Sequence, residues 1–523
     1  MSSKSGGVAR AAGILMVTMI LSRILGLVRD QVLTARFGSS HLTDAYLAAF
    51  TIPDLLYNLL VGGALSAAFI PVFSSYLARG EEKEAFTVAS TAINLVMLLL
   101  SLGTVLAMIF TPALMPLVAY KFPAETREIT IYLTRIMLPS VLFTALNGLM
   151  MGILNSYKHF TAPAVGALWY NVAIILAGWF LAPWLGIAAF PVGVLLGVMA
   201  NFLWQLPRVK KIGFRYRPVL ELRHPGLQKM LWLMLPALLG LAANQINLII
   251  NQNLASGLDA GSITALRVAN RLMAVPLGVF AFAIGAAVFP TLTSLAAVGK
   301  MSEFKNTLLD GLRSVFFITL PAAAGLMALA EPIVRLLFQQ GKFSAADTRL
   351  TALALFWYCL GLFAQGAVLV VTRAFYALQD TTTPVSVAVV TILINYLLNV
   401  AMVERFAAPG LAFGYSVTGI INFLALLYLL RRKTGPLGLS QLVRSWGKGS
   451  TAALVMGIAV YFLDQGLVQV VPVSQKGGQL LEVLLTVTSG AALYWLLARL
   501  FKMQEAEQVR QLVVRRLNRQ RAA

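Results

Sequence analysis

The sequence predicts an all-α polytopic membrane protein of about fourteen transmembrane helices, with two pseudo-symmetric six-helix bundles around a central cavity and two additional C-terminal helices. Three observations carry this. Of 523 residues, 59% are hydrophobic and only 12% charged, against about 25% charged in soluble domains. Apolar runs of the ~20 residues that cross a bilayer recur along the chain, without the short alternating strands of a barrel. The stretch Ala67-Ala68-Phe69-Ile70-Pro71 also recurs as Ala286-Ala287-Val288-Phe289-Pro290, with Ser75 and Ser294, then Gly80 and Gly299, in phase. Pro163 and Pro384 repeat at nearly the same offset, each opening an apolar run after a polar turn. Two parallel copies with an even number of helices imply a pseudo-two-fold along the membrane normal and a transporter-like cavity.

In order, the first bundle has runs at about 11–35, 45–77, 86–110, 128–155, 161–181 and 187–206. The second has about 228–256, 263–297, 306–330, 349–378, 384–404 and 409–430, and two more follow at about 447–467 and 480–500. The organisation is therefore an N-terminal bundle over 1–206, a basic linker over 207–227, a second bundle over 228–430, two additional helices over 431–500 and a basic tail over 501–523. The second and eighth runs are long and interrupted by Gly62-Gly63 or Gly285, with Pro53, Pro71, Pro276 and Pro290. Bent helices lining a cavity have this composition. With no cleavage site after the short polar start, the first run is expected to remain as an anchor.

Basic residues sort to alternate loops. Arg79, Lys83, Lys158, the 208–229 stretch, Lys300, Lys305, Arg431, Arg432, Lys433 and the tail fall on one side; Asp259, Asp347, Glu404 and Asp464 fall on the other. By the positive-inside rule both termini are cytoplasmic. The same asymmetry accounts for most of the +21 net charge. No soluble basic domain is present, so nucleic acid is not an expected partner. The tail reads as a surface helix on lipid headgroups. Cys359 is the sole cysteine, which leaves neither disulfides nor thiolate metal sites.

Charge inside apolar runs is the strongest functional signal, because each Arg or Asp at a bilayer centre costs roughly 2.5–3.5 kcal/mol on insertion scales. Arg23, Arg29 and Asp30 lie in the first run, with Ser22 before them; Arg267 and Arg271, four apart and so on one face, lie in the eighth. On a straight helix Arg23 and Arg29 are about 120° out of phase, and a break at Gly26 is expected to let both address one space. Arginines on both bundles suit an anion, and guanidinium forks match phosphate or diphosphate oxygens. Arg135, Arg313 and Arg373 sit nearer run ends, where snorkelling to the interface is the simpler reading. Asn171, Gln245, Asn247, Asn251, Gln252, Asn253, Asn395 and Asn399 either line the cavity or tie helices together by hydrogen bonds.

Catalysis is not expected. The three histidines His41, His159 and His224 lie in loops or run ends, no acids cluster on one face, and no phosphate-binding Gly-rich loop with Lys-Ser/Thr appears. Export of another lipid-linked glycan demands the same cationic cavity. A cation-coupled drug exporter demands cavity acids, for which only Asp30 and Asp380 are available.

The motifs Ser22-Arg23-Ile24-Leu25-Gly26-Leu27-Val28-Arg29-Asp30, Thr43-Asp44-Ala45-Tyr46, Ala67-Ala68-Phe69-Ile70-Pro71, Ala269-Asn270-Arg271-Leu272, Gly341-Lys342-Phe343-Ser344 and Phe375-Tyr376-Ala377-Leu378-Gln379-Asp380-Thr381-Thr382-Thr383-Pro384 occur in this order. Together they resemble the MurJ (MviN) lipid II flippases, within the larger group of multidrug and oligosaccharide-lipid exporters, over most of the first 430 residues. The resemblance implies a bacterial cytoplasmic-membrane protein that moves undecaprenyl-diphosphate-linked disaccharide-pentapeptide to the outer leaflet for peptidoglycan synthesis. It implies headgroup contacts from Ser22, Arg23, Arg29 and Arg271 and a lipid-tail groove involving the last two helices; Asp30, Asn171, Gln252 and Arg267 are further binding candidates on the reading of the residues themselves. Membrane lipids and cell-wall synthesis proteins are the partners it suggests. No cofactor is implied; coupling to the membrane potential or to a monovalent cation is compatible. Two positions depart from the pattern of some members: Asn58 stands where they carry arginine, and Asn251 where they carry a sodium-binding aspartate paired with the one matching Asp380. A sodium site at Asp380 and Asn251 is thereby weakened. Asp380 reads equally as the cap of the helix that follows.

Overall fold

The computed structural model describes residues 2–57, 64–507 and 510–511, and within them the chain is helical, with no strand. Asn58, the Gly62-Gly63 pair and the tail beyond 511 lie outside the described residues. Among the described residues, eight helices are long and apolar enough to cross a membrane, or up to ten if each of two bent pairs is one span. The sequence-based count is larger because it also takes in Ser2–Phe37, the segmented 41–78 stretch and Pro225–Ala255. It further divides Thr382–Thr434 where Ala407 leaves helical geometry (φ 47°, ψ −136°), two residues before Pro409.

Bends occur where backbone bonding is interrupted. Ala124–Met137 and Ser140–Ser156 meet at 41° beside Pro139, and Ala345–Cys359 and Leu362–Ala377 meet at 44° beside Gly361. Pro276 is followed by a five-residue π-helical segment, Leu277–Ala281, within the long Ser262–Ala297 run. Proline there deprives the ladder of a donor, and the register shifts to compensate. The expected break at Gly26 is not found. Ser2–Phe37 continues helically through it and Gly26 is buried. A glycine flanked by good helix formers costs the helix only about 1 kcal/mol, too little to force a break.

The chain forms two compact units, Met1–Thr264 with Gln340–Phe343, and Ala265–Gln339 with Ser344–Ala523. The division falls at Thr264 rather than in the 207–227 stretch, because Pro225–Ala255 packs on Ala64–Ala78 and Glu82–Ala119 in the first unit. That unit's core includes Phe69, Phe73, Val88, Leu149 and Ile153. The second unit's core includes Phe304, Leu312, Phe316, Val370 and Phe375.

Between helices in lipid, close packing replaces the hydrophobic drive, so small residues mark the contacts. Gly193 and Gly197 on Ala189–Lys211 face Thr161–Phe180 so closely that a Cβ at Gly193 would lie 2.8 Å from Ile174 Cα, and one at Gly197 2.8 Å from Tyr170 O. This packing fixes Tyr170 and Asn171, which belong to the site.

Candidate substrate site

In the first unit the structure gathers Ser22, Arg29, Asp30 and Asn171. Arg29 Nη2 and Nε donate to Asp30 Oδ1 at 3.0 and 3.1 Å, and Nη1 reaches Asn171 Oδ1 at 3.4 Å. The Asn171 amide nitrogen lies 3.5 Å from both the carbonyl and the hydroxyl of Ser22. Arg29 and Asp30 are 18% and 14% exposed, so the pair is only partly wet. The sequence places Arg29 and Asp30 side by side in the first run; the structure pairs them, so that Arg29 is neutralised locally by its neighbour. Consecutive helical residues do not face each other, but the long arginine stem folds back to its neighbour. Arg23 is exposed and takes no part in this network.

Ser22 and Asn171 open on a cavity of about 410 Å³ within the first unit, also lined by Asp54, Asn147, Tyr170 and Gln205. Gln205 Nε2 donates to Asn147 Oδ1 at 3.1 Å and Asn201 Oδ1 at 2.9 Å, and Asn147 Nδ2 donates to Val198 O at 3.0 Å. The sequence reading missed Asn147, Asn201 and Gln205. Their signal was present as amides inside apolar runs, with Asn201 and Gln205 one turn apart. An amide-lined wall suits hydroxyl and peptide groups, which both donate and accept.

Buried Asp44 holds the start of the helix that carries the other two arginines. Its carboxylate accepts from Gly261 N at 2.7 Å, Thr264 N at 2.8 Å and Thr264 Oγ1 at 2.6 Å, at the first turn of Ser262–Pro276. An acid accepting helix N-terminal donors is favoured by bonding and by the helix dipole. Beyond Thr264 this helix enters the second unit, where Arg267 is exposed and Arg271 half-buried, each interacting with other groups of the protein. The Gly341-Lys342-Phe343 motif is fixed in the first unit by Lys342 N donating to Ala35 O at 2.8 Å. A Cβ at Gly341 (φ +61°) would come within 2.2 Å of that carbonyl, so only glycine fits.

Most of the remaining polar candidates tie helical segments together, whereas Asn251 bonds within its own helix, one turn back to Asn247. Gln252 donates to Thr51 Oγ1 at 2.7 Å, Asn253 to Pro116 O at 2.8 Å, Asn251 to Asn247 Oδ1 at 3.1 Å, and Asn395 to Thr418 Oγ1 at 3.2 Å. Asp380 Oδ1 accepts from Thr383 N at 2.9 Å and Oδ2 from Lys433 Nζ at 2.6 Å. It therefore bonds the first turn of Thr382–Thr434 from one residue before the N-cap Thr381, in keeping with its position before Thr-Thr-Thr-Pro384, with Lys433 as counter-charge. Burial alone would raise its carboxyl, but the bonds from Lys433 and Thr383 outweigh that and hold it at about 2. Arg135 donates to Met108 O at 3.0 Å, and Arg373 sits 5.3 Å over the Phe289 ring.

Residues 33–475 match the family model described as "Lipid II flippase MurJ". The chain belongs to the MurJ family. A Burkholderia cenocepacia protein named "Lipid II flippase MurJ" is 34% identical over 429 residues, covering 80% of this chain and 82% of that one. A "Probable lipid II flippase MurJ" of Buchnera aphidicola subsp. Acyrthosiphon pisum is 34% identical over 411 residues, 78% and 80% of the two chains. Among solved structures, MurJ in its inward closed conformation superimposes with a TM-score of 0.78 at 29% identity, over 93% of this chain and 98% of that one. An inward-facing MATE family transporter of the MOP superfamily gives 0.66 at 16% identity, covering 82% and 99%, which shows a shared fold. The MurJ match takes in Asn171, Asn251, Gln252, Arg267, Arg271 and Asp380; the 22–30 stretch precedes it.

Proposed function

We propose that this chain is a lipid II flippase of the bacterial cytoplasmic membrane, moving undecaprenyl-diphosphate-linked disaccharide-pentapeptide from the inner to the outer leaflet for peptidoglycan synthesis. Its membership of the MurJ family carries this reading. The chain acts as a transporter by alternating access and not as an enzyme. Both termini are cytoplasmic, in keeping with the basic loops. Arg23, Arg29 and Arg271, with Arg267 nearby, bind the diphosphate, while Ser22 and Asn171 and the amides beyond them take sugar or peptide polar groups. Asp30 holds Arg29 in place until the diphosphate arrives, and the anion then competes with it for the same guanidinium fork. The two bundles act as related halves that rock against each other. An interior-negative potential favours outward movement of anionic cargo by about 2.3 kcal/mol per charge per 100 mV.

Complementation tests this in a bacterium depleted of its own lipid II flippase, with variants at matched membrane levels. Wild type is expected to restore growth and Arg23→Ala, Arg29→Ala and Arg271→Ala to fail. Growth with all four would keep the function and remove the assigned arginines. Failure of well-expressed wild type would sink the lipid II assignment in favour of another lipid-linked glycan.

A further inference from the structure

A second polar cavity, about 280 Å³, lies in the second unit and is lined by Arg313, Arg444, Lys448, Lys502, Gln504 and Glu505, with Gln441 and Ser445 beside them. Three segments build it: Met301–Ala328, the first turns of Leu439–Val470, and the turn after Leu500. That turn is pinned by Met503 and Ala506, buried with Ala498 against Phe317, Trp495 and Phe501. Lys502 is held in the left-handed region, φ +50°.

The donors and acceptors of the lining side chains set the cavity's chemistry. Four cations meet one lining carboxylate, Glu505, which is buried and already accepts from Ser445 Oγ at 2.6 Å. Asp310, 3.7 Å from Arg313, is mostly exposed. Arg313 donates to Gln441 Oε1 at 2.9 Å and Gln504 Oε1 at 3.3 Å, which leaves both amide NH₂ groups as donors. Its buried Nε has no partner. Lys448 gives one proton to Phe501 O at 2.7 Å and keeps two. The side chains of Arg444 and Lys502 are exposed and make no hydrogen bond or ion pair among the described residues. The walls are thus rich in donors and positive charge, while both glutamine oxygens and one oxygen of Glu505 are already engaged, which leaves the other Glu505 oxygen against four cations.

We propose that this cavity binds a phosphate group. Tetrahedral phosphate oxygens accept from several donors at once, and guanidinium forks match them. The volume is below the about 300–1,000 Å³ of sites for drug-sized ligands, so it suits a phosphate or a headgroup phosphodiester. The phosphate comes either from an anionic phospholipid or from solution. The site is separate from the arginines assigned to transport and stands independently of that assignment.

The test uses the full chain in phosphatidylcholine nanodiscs, with phosphatidylglycerol added to the bilayer in one arm and inorganic phosphate to the buffer in the other. Bound lipid is counted by native mass spectrometry and phosphate binding is read by calorimetry. The variant is Arg444→Gln/Lys502→Gln, which removes no hydrogen bond or ion pair among the described residues; Arg431→Gln/Arg432→Gln controls for general surface charge. Cavity-variant affinity is expected to fall about tenfold or more, with the control within about twofold. Loss confined to the lipid arm assigns a headgroup, and loss confined to the other arm assigns soluble phosphate. No binding by wild type in either arm, or equal loss in both variants, overturns the proposal. Melting curves verify folding, and the single Arg444→Gln variant repeats the measurement if the double variant melts early.

Discussion

At the scale of the residue, buried charge is tolerated here only with a partner in place. Glu482 is fully buried, and both its oxygens accept from Arg335 Nη2, at 2.5 and 2.7 Å. Removing the guanidinium leaves Glu482 facing only the buried Asp464, which is hydrogen-bonded to it, and loss of one partner of a buried pair costs about 3–5 kcal/mol. Arg335→Met is therefore expected to lower the melting temperature in detergent markedly, and Arg335→Met/Glu482→Gln to regain most of it. Equal melting of Arg335→Met and wild type would show the pair to be dispensable. Asp380 makes a pH prediction. Its carboxyl is held below its ordinary value, so its contribution is present above about pH 4 and lost as pH falls towards 2. Melting curves across that window should show wild type losing its advantage over Asp380→Asn as acid is added. A constant difference between the two would count against the Lys433–Asp380 pairing.

Helices here are positioned by small residues and caps as much as by apolar surface. Gly197 allows Ala189–Lys211 to meet Thr161–Phe180 at backbone distance. Valine at Gly197 must push the helices apart, at about 1–3 kcal/mol by analogy with overpacked cores, and displace Tyr170 and Asn171 from the cavity wall. Gly197→Val is expected both to melt earlier and to complement poorly; Gly103→Ala, where a Cβ meets nothing within 4 Å, should do neither. Normal complementation by a well-expressed Gly197→Val chain would break the link between this contact and the cavity. Asp44 acts in the same way on Ser262–Pro276, setting the start of the helix that bears Arg267 and Arg271.

For the whole molecule, the apolar surface follows from long apolar helices with few charges, and the division into two units from which helices pack together. Exposed Leu98, Leu102, Val105 and Ile109 on Glu82–Ala119 are ordinary in that setting. If the membrane potential drives outward movement, collapsing it with valinomycin and potassium, with the pH gradient kept, is expected to slow lipid II appearance at the outer leaflet. An unchanged rate would exclude the potential as the driving force.

The sequence alone determined that this is a helical membrane protein, because composition and run length are local properties that a bilayer reads directly. It also determined the MurJ family, the place of Asp380 at a helix start, and that Ser22, Arg29, Asp30 and Asn171 merit attention, since charges and amides in apolar runs are visible as written. Tertiary structure decided their relations. It paired Arg29 with Asp30 and Asn171, kept the first helix continuous through Gly26, turned Gln252 and Asn253 to bonds between helices, and added Asn147, Asn201 and Gln205 to a cavity wall. It also brought Arg313, Arg444, Lys448 and Lys502 from three separate segments around one cavity. The reason is that a residue's type fixes what it can bond to, whereas the partner it meets depends on contacts between segments far apart in the chain, which no local pattern records.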